Sequence, residues 1–295
     1  MAKKTSGTDL TIVILSFNTQ FWLKKTLTTL KEFYLDKTHY KVAVIVVDNA
    51  STDGSPTMVK KEFRWATLIN SGDNLGFAGG NNVALKKMKS RYSMLLNSDT
   101  EFHPGSNLDV LIEYLDKHPE VGMITPRVEM PNGTIDPASH RGEPTPWASL
   151  TYFLGFEKLF PKNPLFGQYH QTYKNVDELH EIDACTGAAM IFPTKFMQQK
   201  VGYLDERFFM YAEDLDWCHR FREAGKKIIY HPGAQIIHHK HKSGIKSSSV
   251  RLSKKVHNMF YDTMLTYYDK WYANRYPKLY RALLRIFLFI KKGGL

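Results

Sequence analysis

Three short polar clusters follow apolar runs in the first hundred residues: Ser16-Phe17-Asn18, Asp48-Asn49-Ala50-Ser51-Thr52-Asp53 and Asn97-Ser98-Asp99. Asp48 can accept a hydrogen bond from a base N–H or a ribose hydroxyl, although its cluster also suits an ordinary strand-to-helix turn. Asp99 can hold a hard divalent cation that bridges two phosphates, or can simply cap a turn. With one carboxylate in that cluster, phosphates and water would have to complete the coordination shell. Asn74-Leu-Gly-Phe-Ala-Gly-Gly-Asn-Asn82 places three glycines in five residues between amide side chains. Glycine lets the backbone approach a ligand closely, and a helix starting near Asn81 would offer N–H groups to phosphate. No Gly-Lys-Ser/Thr follows, so the segment is not a Walker loop.

Two later clusters carry titratable groups. Tyr211-Ala-Glu-Asp-Leu-Asp-Trp217 opens a helix with the acidic pair Glu213-Asp214. Acidic residues in a first turn can merely complement the helix dipole. The aromatic approach Glu206–Tyr211 would bury the turn, and a buried carboxylate beside another gains proton affinity, which suits a general base. His231, His238, His239 and His241 form the other cluster. Lys240 and Lys242 mark most of these histidines as solvated, and His238 is the one taken as a metal ligand or phosphate partner.

The elements that must position these groups read as alternating strands and helices. Solid apolar runs at Leu10–Leu15, Val42–Val47, Ala66–Asn70 and Tyr92–Leu96 read as strands, and helical spacing fills Thr19–Phe33, Pro56–Phe63 and Asn81–Met88. Such a pattern predicts a mostly parallel sheet covered by helices on both faces, with the site outside the C-terminal strand edges. Three strands ending in polar clusters can feed one site. Further along, Leu108–His118 and Tyr211–Ala224 read as helices. Gly122–Val128, Ala184–Pro193, Ile228–Tyr230 and Gln235–Ile237 read as strands, and the Pro- and Gly-rich Pro131–Pro146 as loop.

Composition narrows the class. In 295 residues, 43% hydrophobic content is enough to build a core and excludes extensive disorder, and two cysteines exclude a disulfide scaffold. Cys185 and Cys218 lack metal-ligand spacing and suit a reducing, cytoplasmic setting. No apolar run reaches membrane-span length, and Thr11–Leu15 is too short for a signal-peptide core, so the expectation is a soluble or surface-lying protein. The net charge of +11 is concentrated at one end: residues 251–295 carry ten Lys/Arg against two Asp, while the preceding 250 have 30 basic and 27 acidic residues. The near-neutral body argues against nucleic acid. The basic, aromatic-rich tail reads either as helices packed on the body or as an interfacial helix on an anionic membrane.

In this order, the motifs resemble the inverting glycosyltransferases of family 2, with closest likeness to rhamnosyltransferases that build surface polysaccharides. The matching segments are Ile14–Asn18, Val46–Gly54, Asn74–Asn82, Leu95–Asp99, Thr186–Met190, Asp205–Arg220 and Ile237–His239. The resemblance implies a GT-A fold over residues 1–250, with a helical extension at 251–295. It implies transfer of one sugar, with rhamnose the favoured choice, from a dTDP- or UDP-type donor to a glycan or polyprenyl-linked acceptor.

By the same resemblance Asp214 is the catalytic base beside Glu213. Ser16, Asn18, Asp48, Asn74, Gly76, Gly80, Asn81, Asn97 and Ser98 face the donor, while Gly187, Asp216 and Trp217 lie on the acceptor side. Asp99 and His238 hold Mg²⁺ or Mn²⁺. Asn97 replaces the first Asp of the family's Asp-x-Asp motif, and the Gln-x-x-Arg-Trp motif of processive synthases is absent. The alternatives are a sugar-nucleotide-forming nucleotidyltransferase, whose Gly-rich Arg/Lys segment is missing from Leu10–Thr28, and an inactive nucleotide-binding relative.

Overall fold

The computed structural model describes residues 7–240 and 250–293, so His241 and Lys242 lie outside the described residues. The first half alternates as β1 (Leu10–Ser16), α1 (Gln20–Leu30), β2 (Val42–Asp48), α2 (Ser55–Glu62), β3 (Thr67–Asn70), α3 (Gly76–Leu85) and β4 (Tyr92–Asn97). There follow β5 (Thr100–Glu101), α4 (Asp109–Lys117), β6 (Val121–Glu129), α5 (Pro146–Phe153), α6 (Phe156–Leu159), β7 (His180–Ile182), β8 (Ala189–Pro193) and α7 (Thr194–Phe196). The chain continues through α8 (Glu213–Glu223), β9 (Lys227–His238), α9 (Val250–Trp271) and α10 (Lys278–Lys291).

The strands form one sheet in the order β3-β2-β1-β4-β8-β6-β9-β5, with β7 also paired to β9. Both faces are covered. Ile12 and Ile14 of β1 pack with Leu23 and Leu27 of α1, whereas Val13 shares a core with Leu85 of α3 and Trp217 and Phe221 of α8. This is the period-two alternation of a strand buried on both sides.

The expected mostly parallel sheet is present: β3, β2, β1 and β4 are parallel neighbours, and so are β6 and β9. The other pairings are antiparallel: β8 runs against β4 and β6, and β5 and β7 run against β9. The cause is the long excursion between β6 and β8. It carries the chain across the C-terminal edge of β4, so β8 starts beside Leu96 and runs back. That excursion covers the edge where the polar clusters collect. Within it, residues 147–164 fold largely as α5 and α6. The two short strands expected around His231 are one strand, β9, bulged between His231 and Gln235. Ala184–Ala188 is not strand, and α1 ends in a π turn at Lys31–Leu35.

The C-terminal α9 packs on the body. Tyr267, Tyr268 and Tyr272 are buried in the same core as Trp217. Glu143 anchors them, accepting hydrogen bonds from Tyr267 Oη (2.7 Å), Tyr272 Oη (2.6 Å) and Arg222 Nη1 (2.6 Å). His219 Nδ1 lies 2.9 Å from it. Burial alone would raise the Glu143 pKa, but the bonds from His219, Tyr272 and Tyr267 outweigh it and hold the carboxyl at about 2. A carboxyl depressed from 4.5 contributes stability that is complete above about pH 4.5 and lost as the pH falls towards 2. Protease release of the C-terminal helices should therefore rise between pH 5 and pH 3 on the order of the lost contact. Glu143→Gln, with no carboxylate to titrate, should flatten that response, and an unchanged profile would remove Glu143 as the anchor.

Candidate active site

A single cavity of about 1270 Å³ opens over the C-terminal edge of the sheet. Asn74, Gly76, Asn97, Ser98, Asp99, Gly187, Glu213, Asp214 and His238 all line it. They come from α3, β4, the approach to β8, α8 and β9, so the fold brings together residues up to 164 positions apart in sequence. Ser16, Asn18, Asp48, Gly80, Asn81, Asp216 and Trp217 do not line it.

Asp99 is fully buried, and neither carboxylate oxygen accepts a hydrogen bond. Oδ1 is 3.3 Å from His238 Nε2, an ion-pair distance without hydrogen-bond alignment. Asn97 Nδ2 is also 3.3 Å from that nitrogen. On the other side of the ring, His238 Nδ1 is 2.9 Å from Asp136 Oδ2, and Asp136 Oδ1 accepts from Lys240 Nζ at 2.8 Å. Burial would lower the His238 pKa, but Asp136 and Asp99 raise it to about 9. Burial would raise that of Asp136, yet His238 and Lys240 draw it well below the usual carboxylate range.

The orphaned Asp99 oxygens, with an imidazole nitrogen beside them whose partner nitrogen is fixed by a carboxylate, fit a divalent cation. Among the described residues no three His, Cys, Asp or Glu side chains converge as a protein-only cage. Two protein donors would leave positions for phosphate oxygens, as a hard cation on a diphosphate requires.

The acidic pair begins α8 immediately after Tyr211 and Ala212, both at positive φ (73° and 64°). Side chains rarely adopt that conformation, and two in succession mark a backbone held by its surroundings. Asp214 Oδ2 accepts from Arg141 Nη2 at 2.6 Å, and Oδ1 accepts from Leu215 N at 2.8 Å. Arg141 is itself buried and also donates to Cys185 O. Burial disfavours the Arg141 charge, but Asp214 more than restores it. Burial first and Asp214 second push the Glu213 carboxyl well up, and its Oε2 has no partner.

Two expected acceptor-side residues belong to the interior. Trp217 is fully buried against Phe192 and donates through Nε1 to Gly202 O. Asp216 is fully buried and pairs with Arg220, Lys270 and Trp271. On α8, side chains two and three positions after Asp214 point away from the cavity because the helix turns them into the sheet.

The glycine-rich segment also differs from expectation. Its helix starts at Gly76, not near Asn81, so Gly80 and Asn81 sit within α3, where a Cβ on Gly80 would collide with Leu15. Asn81 is buried and bonds Phe77 O. The leading amides are already used: Leu75 N donates to Asn49 Oδ1, Gly76 N to Asn74 Oδ1, and Phe77 N to Phe209 O. Asn49 further donates to Asn74 Oδ1 and Gly76 O, making it the organiser of this turn.

Asn18 ties β1 to the Asp48 cluster by accepting from Thr52 N at 2.7 Å. Ser16 is buried on Thr19. Asp48 is buried, with Oδ2 on Ser51 N and Oδ1 unpartnered.

Gly76 has φ +70°, and an added Cβ would lie 2.3 Å from Phe209 O, on the segment that leads into Glu213-Asp214. Gly76→Ala should therefore displace that segment, costing about 1–3 kcal/mol of stability. The measurable result is a lower thermal midpoint together with reduced activity, and full retention of both would contradict the contact.

Arg141, Asp136 and Asn49 carry none of the signals by which the other residues stand out in sequence. The first two lie in a Pro/Gly-rich loop, and Asn49 resembles any turn residue. Their roles exist only once the excursion folds over the sheet edge. The two thiols are free, with Sγ atoms of Cys185 and Cys218 4.0 Å apart. Among the described residues no helix is long and apolar enough to cross a membrane.

Comparison with known proteins shows the family and the fold. The model of glycosyl transferase family 2 matches residues 11–192. The chain is 28% identical over 219 residues to an N-acetylglucosaminyl-diphospho-decaprenol L-rhamnosyltransferase of Mycobacterium tuberculosis, covering 70% of each protein. It is 24% identical over 243 residues to rhamnosyltransferase WbbL of Escherichia coli, covering 78% of this chain and 83% of that one. Among solved structures, S. aureus TarS in complex with UDP-GlcNAc superposes with a TM-score of 0.59 at 17% identity, over 96% of this chain and 72% of that one. The mannosyltransferase PcManGT from Pyrobaculum calidifontis, in complex with GDP-Man and Mn²⁺, gives 0.54 at 18%, over 97% and 70%. These two share the GT-A fold.

Proposed function

The chain belongs to glycosyltransferase family 2, and on that footing we propose that it moves one sugar, rhamnose being favoured, from a dTDP- or UDP-type donor to a hydroxyl of a polyprenyl-linked glycan acceptor, with inversion. The observation that carries this reading is that Asp99 and Asp214, distant in sequence, line one cavity. The L-rhamnosyltransferase named above acts on a decaprenol-linked acceptor, which supports the acceptor class.

Asp214 takes the proton from the acceptor hydroxyl as that oxygen attacks the anomeric carbon. A carboxylate has about four lone-pair positions, and Arg141 and Leu215 N occupy one on each oxygen, so accepting capacity remains. Arg141 fixes the orientation of Asp214, and Glu213, whose proton affinity burial and Asp214 raise, stands beside it without taking the base role. Asn74 and Gly76 border the donor, and Asn97 and Ser98 flank the diphosphate; Asp48, buried behind the lining, shapes the floor of the donor end through Ser51 N rather than touching the cavity. Gly187 is retained on the acceptor side.

Asp99 and His238 would hold Mg²⁺ or Mn²⁺, the cation taking the place of the Nε2 proton that the two flanking carboxylates favour, with Asp136 fixing the imidazole through Nδ1. Such a cation would supply charge neutralisation for the leaving diphosphate. Residues 1–250 form the catalytic unit and the basic helices at 251–295 face an anionic membrane surface, the enzyme being peripheral on the cytoplasmic side.

The test is a panel of nucleotide sugars with a polyprenyl-diphosphate-linked amino sugar as acceptor, read by nucleoside diphosphate release and product mass. The expected result is cation-dependent release with a product heavier by one sugar. A folded, nucleotide-binding protein that releases nothing from any donor would defeat the reading.

A further inference from the structure

The cavity lining has two unlike parts. Besides the carboxylates it holds an apolar wall of Phe153 of α5, Phe260 and Met264 of α9, and Leu283, Leu284 and Phe287 of α10, with His257 and Tyr280 among them. Phe153 and Phe287 join α5 to α10 in this wall, with ring centroids 4.7 Å apart, and Phe260 meets Tyr211 beside the acidic pair at 5.4 Å, so the apolar part leads to the carboxylates. A volume of about 1270 Å³ exceeds what a single small ligand ordinarily fills, so a donor at the carboxylates leaves this apolar part for something else.

The apolar wall continues onto the outside of the molecule. Leu279, Leu283, Ile286 and Ile290 repeat at i, i+4, i+7 and i+11 on α10 and are 67, 53, 58 and 66% exposed. This spacing makes one stripe along the helix. Leu283 belongs both to the stripe and to the cavity lining. Next to Phe153, Leu154 is also exposed, as are Leu159 and Phe160 of the adjoining segment. Apolar surface therefore borders the slot on both sides.

Charge selects the occupant. Four Lys/Arg and no acidic residue lie in Lys278–Lys291, so a second copy would set like charges against each other. A base or sugar ring can stack on one aromatic face but gains little from the aliphatic Met264, Leu283 and Leu284. An isoprenoid chain carries no polar group and gains from every methylene it buries, and its diphosphate would lie towards the carboxylates.

We propose that the apolar part of the cavity, between α5, α9 and α10, binds the first isoprenoid units of a polyprenyl-diphosphate-linked acceptor, which enters from the membrane across Leu283. The identity of the occupant rests on the transfer reading above, whereas the slot itself is defined by its lining.

The test uses the full chain without donor. Binding of farnesyl diphosphate and of inorganic diphosphate is measured by calorimetry for the wild type, Leu283→Asp and Phe287→Ala. UDP and dTDP titrations report separately on the donor end. Wild type should bind farnesyl diphosphate at least about tenfold more tightly than inorganic diphosphate, and both variants should lose about that factor for farnesyl diphosphate alone. Leu283 is already half exposed, so Leu283→Asp disturbs the fold little, and Phe287→Ala keeps an apolar side chain. Equal affinity for the two diphosphates overturns the slot. So does unaltered farnesyl diphosphate affinity in both variants, or a change in self-association by sedimentation without a change in ligand affinity. If UDP and dTDP also fail to bind the wild type, the transfer reading fails as well; if either binds, only the slot is lost.

Discussion

Asp214→Asn should lower turnover by about 10²–10⁴-fold while leaving nucleotide affinity nearly unchanged. The amide keeps the size of the carboxyl and can still accept from Arg141 Nη2 through its oxygen, so the approach through Tyr211 and Ala212 has no reason to move. What disappears is a group able to take the acceptor's proton. Glu213 does not substitute, because burial and Asp214 raise its proton affinity and its side chain leaves the helix one residue, about 100°, away from that of Asp214. Stopped assays of nucleoside diphosphate release, paired with calorimetric titration of UDP or dTDP, separate the two effects. Turnover within a few-fold of wild type would remove Asp214 from the chemistry, and loss of nucleotide binding would indicate collapse of the site.

Asp99→Asn should act at an earlier step. Both of its oxygens are buried without hydrogen bonds at the cavity wall, so the substitution removes negative charge where a cation would be held and creates no cavity. The expected result is a loss of about 10²–10³-fold in turnover, accompanied by loss of the cation-dependent part of nucleotide affinity. Asp214→Asn spares that affinity, so the two variants are told apart by titrating UDP or dTDP with and without Mn²⁺. Equal nucleotide affinity with and without the cation in wild type would dissociate Asp99 from metal binding.

The parallel half of the fold was legible because its strands are solid apolar runs with helices between them, and Leu10–Ser16, Val42–Asp48 and Tyr92–Asn97 pair in register as such runs do. The polar clusters at their ends were legible for the same reason, since strand ends in a parallel sheet gather at one edge. The excursion over that edge was not legible. Its segments are short, Pro- and Gly-rich, and fixed by contacts distant in sequence. Arg141 on Asp214 spans 73 positions, and Asp136 on His238 spans 102.

Periodicity also misjudged the glycine segment. Glycine is a poor helix former, yet Gly76, Gly79 and Gly80 are in helix because close packing against Phe209, Leu75 and Leu15 excludes a side chain there. Trp217 and Asp216, placed on the acceptor side by resemblance, are buried away from the cavity that Asp214 lines. On a helix, neighbouring positions face different directions.

The most direct test of the account is the configuration of the product. The one-bond carbon–proton coupling at C1 of the purified product, compared with that of the donor, reports the stereochemistry of a single transfer, and does so even for rhamnose, whose H1–H2 coupling is small in both anomers. Displacement assisted by one base on one face of the sugar predicts complete inversion at the anomeric carbon. A product of retained configuration would require a second displacement or a group on the opposite face, and would contradict the role given to Asp214.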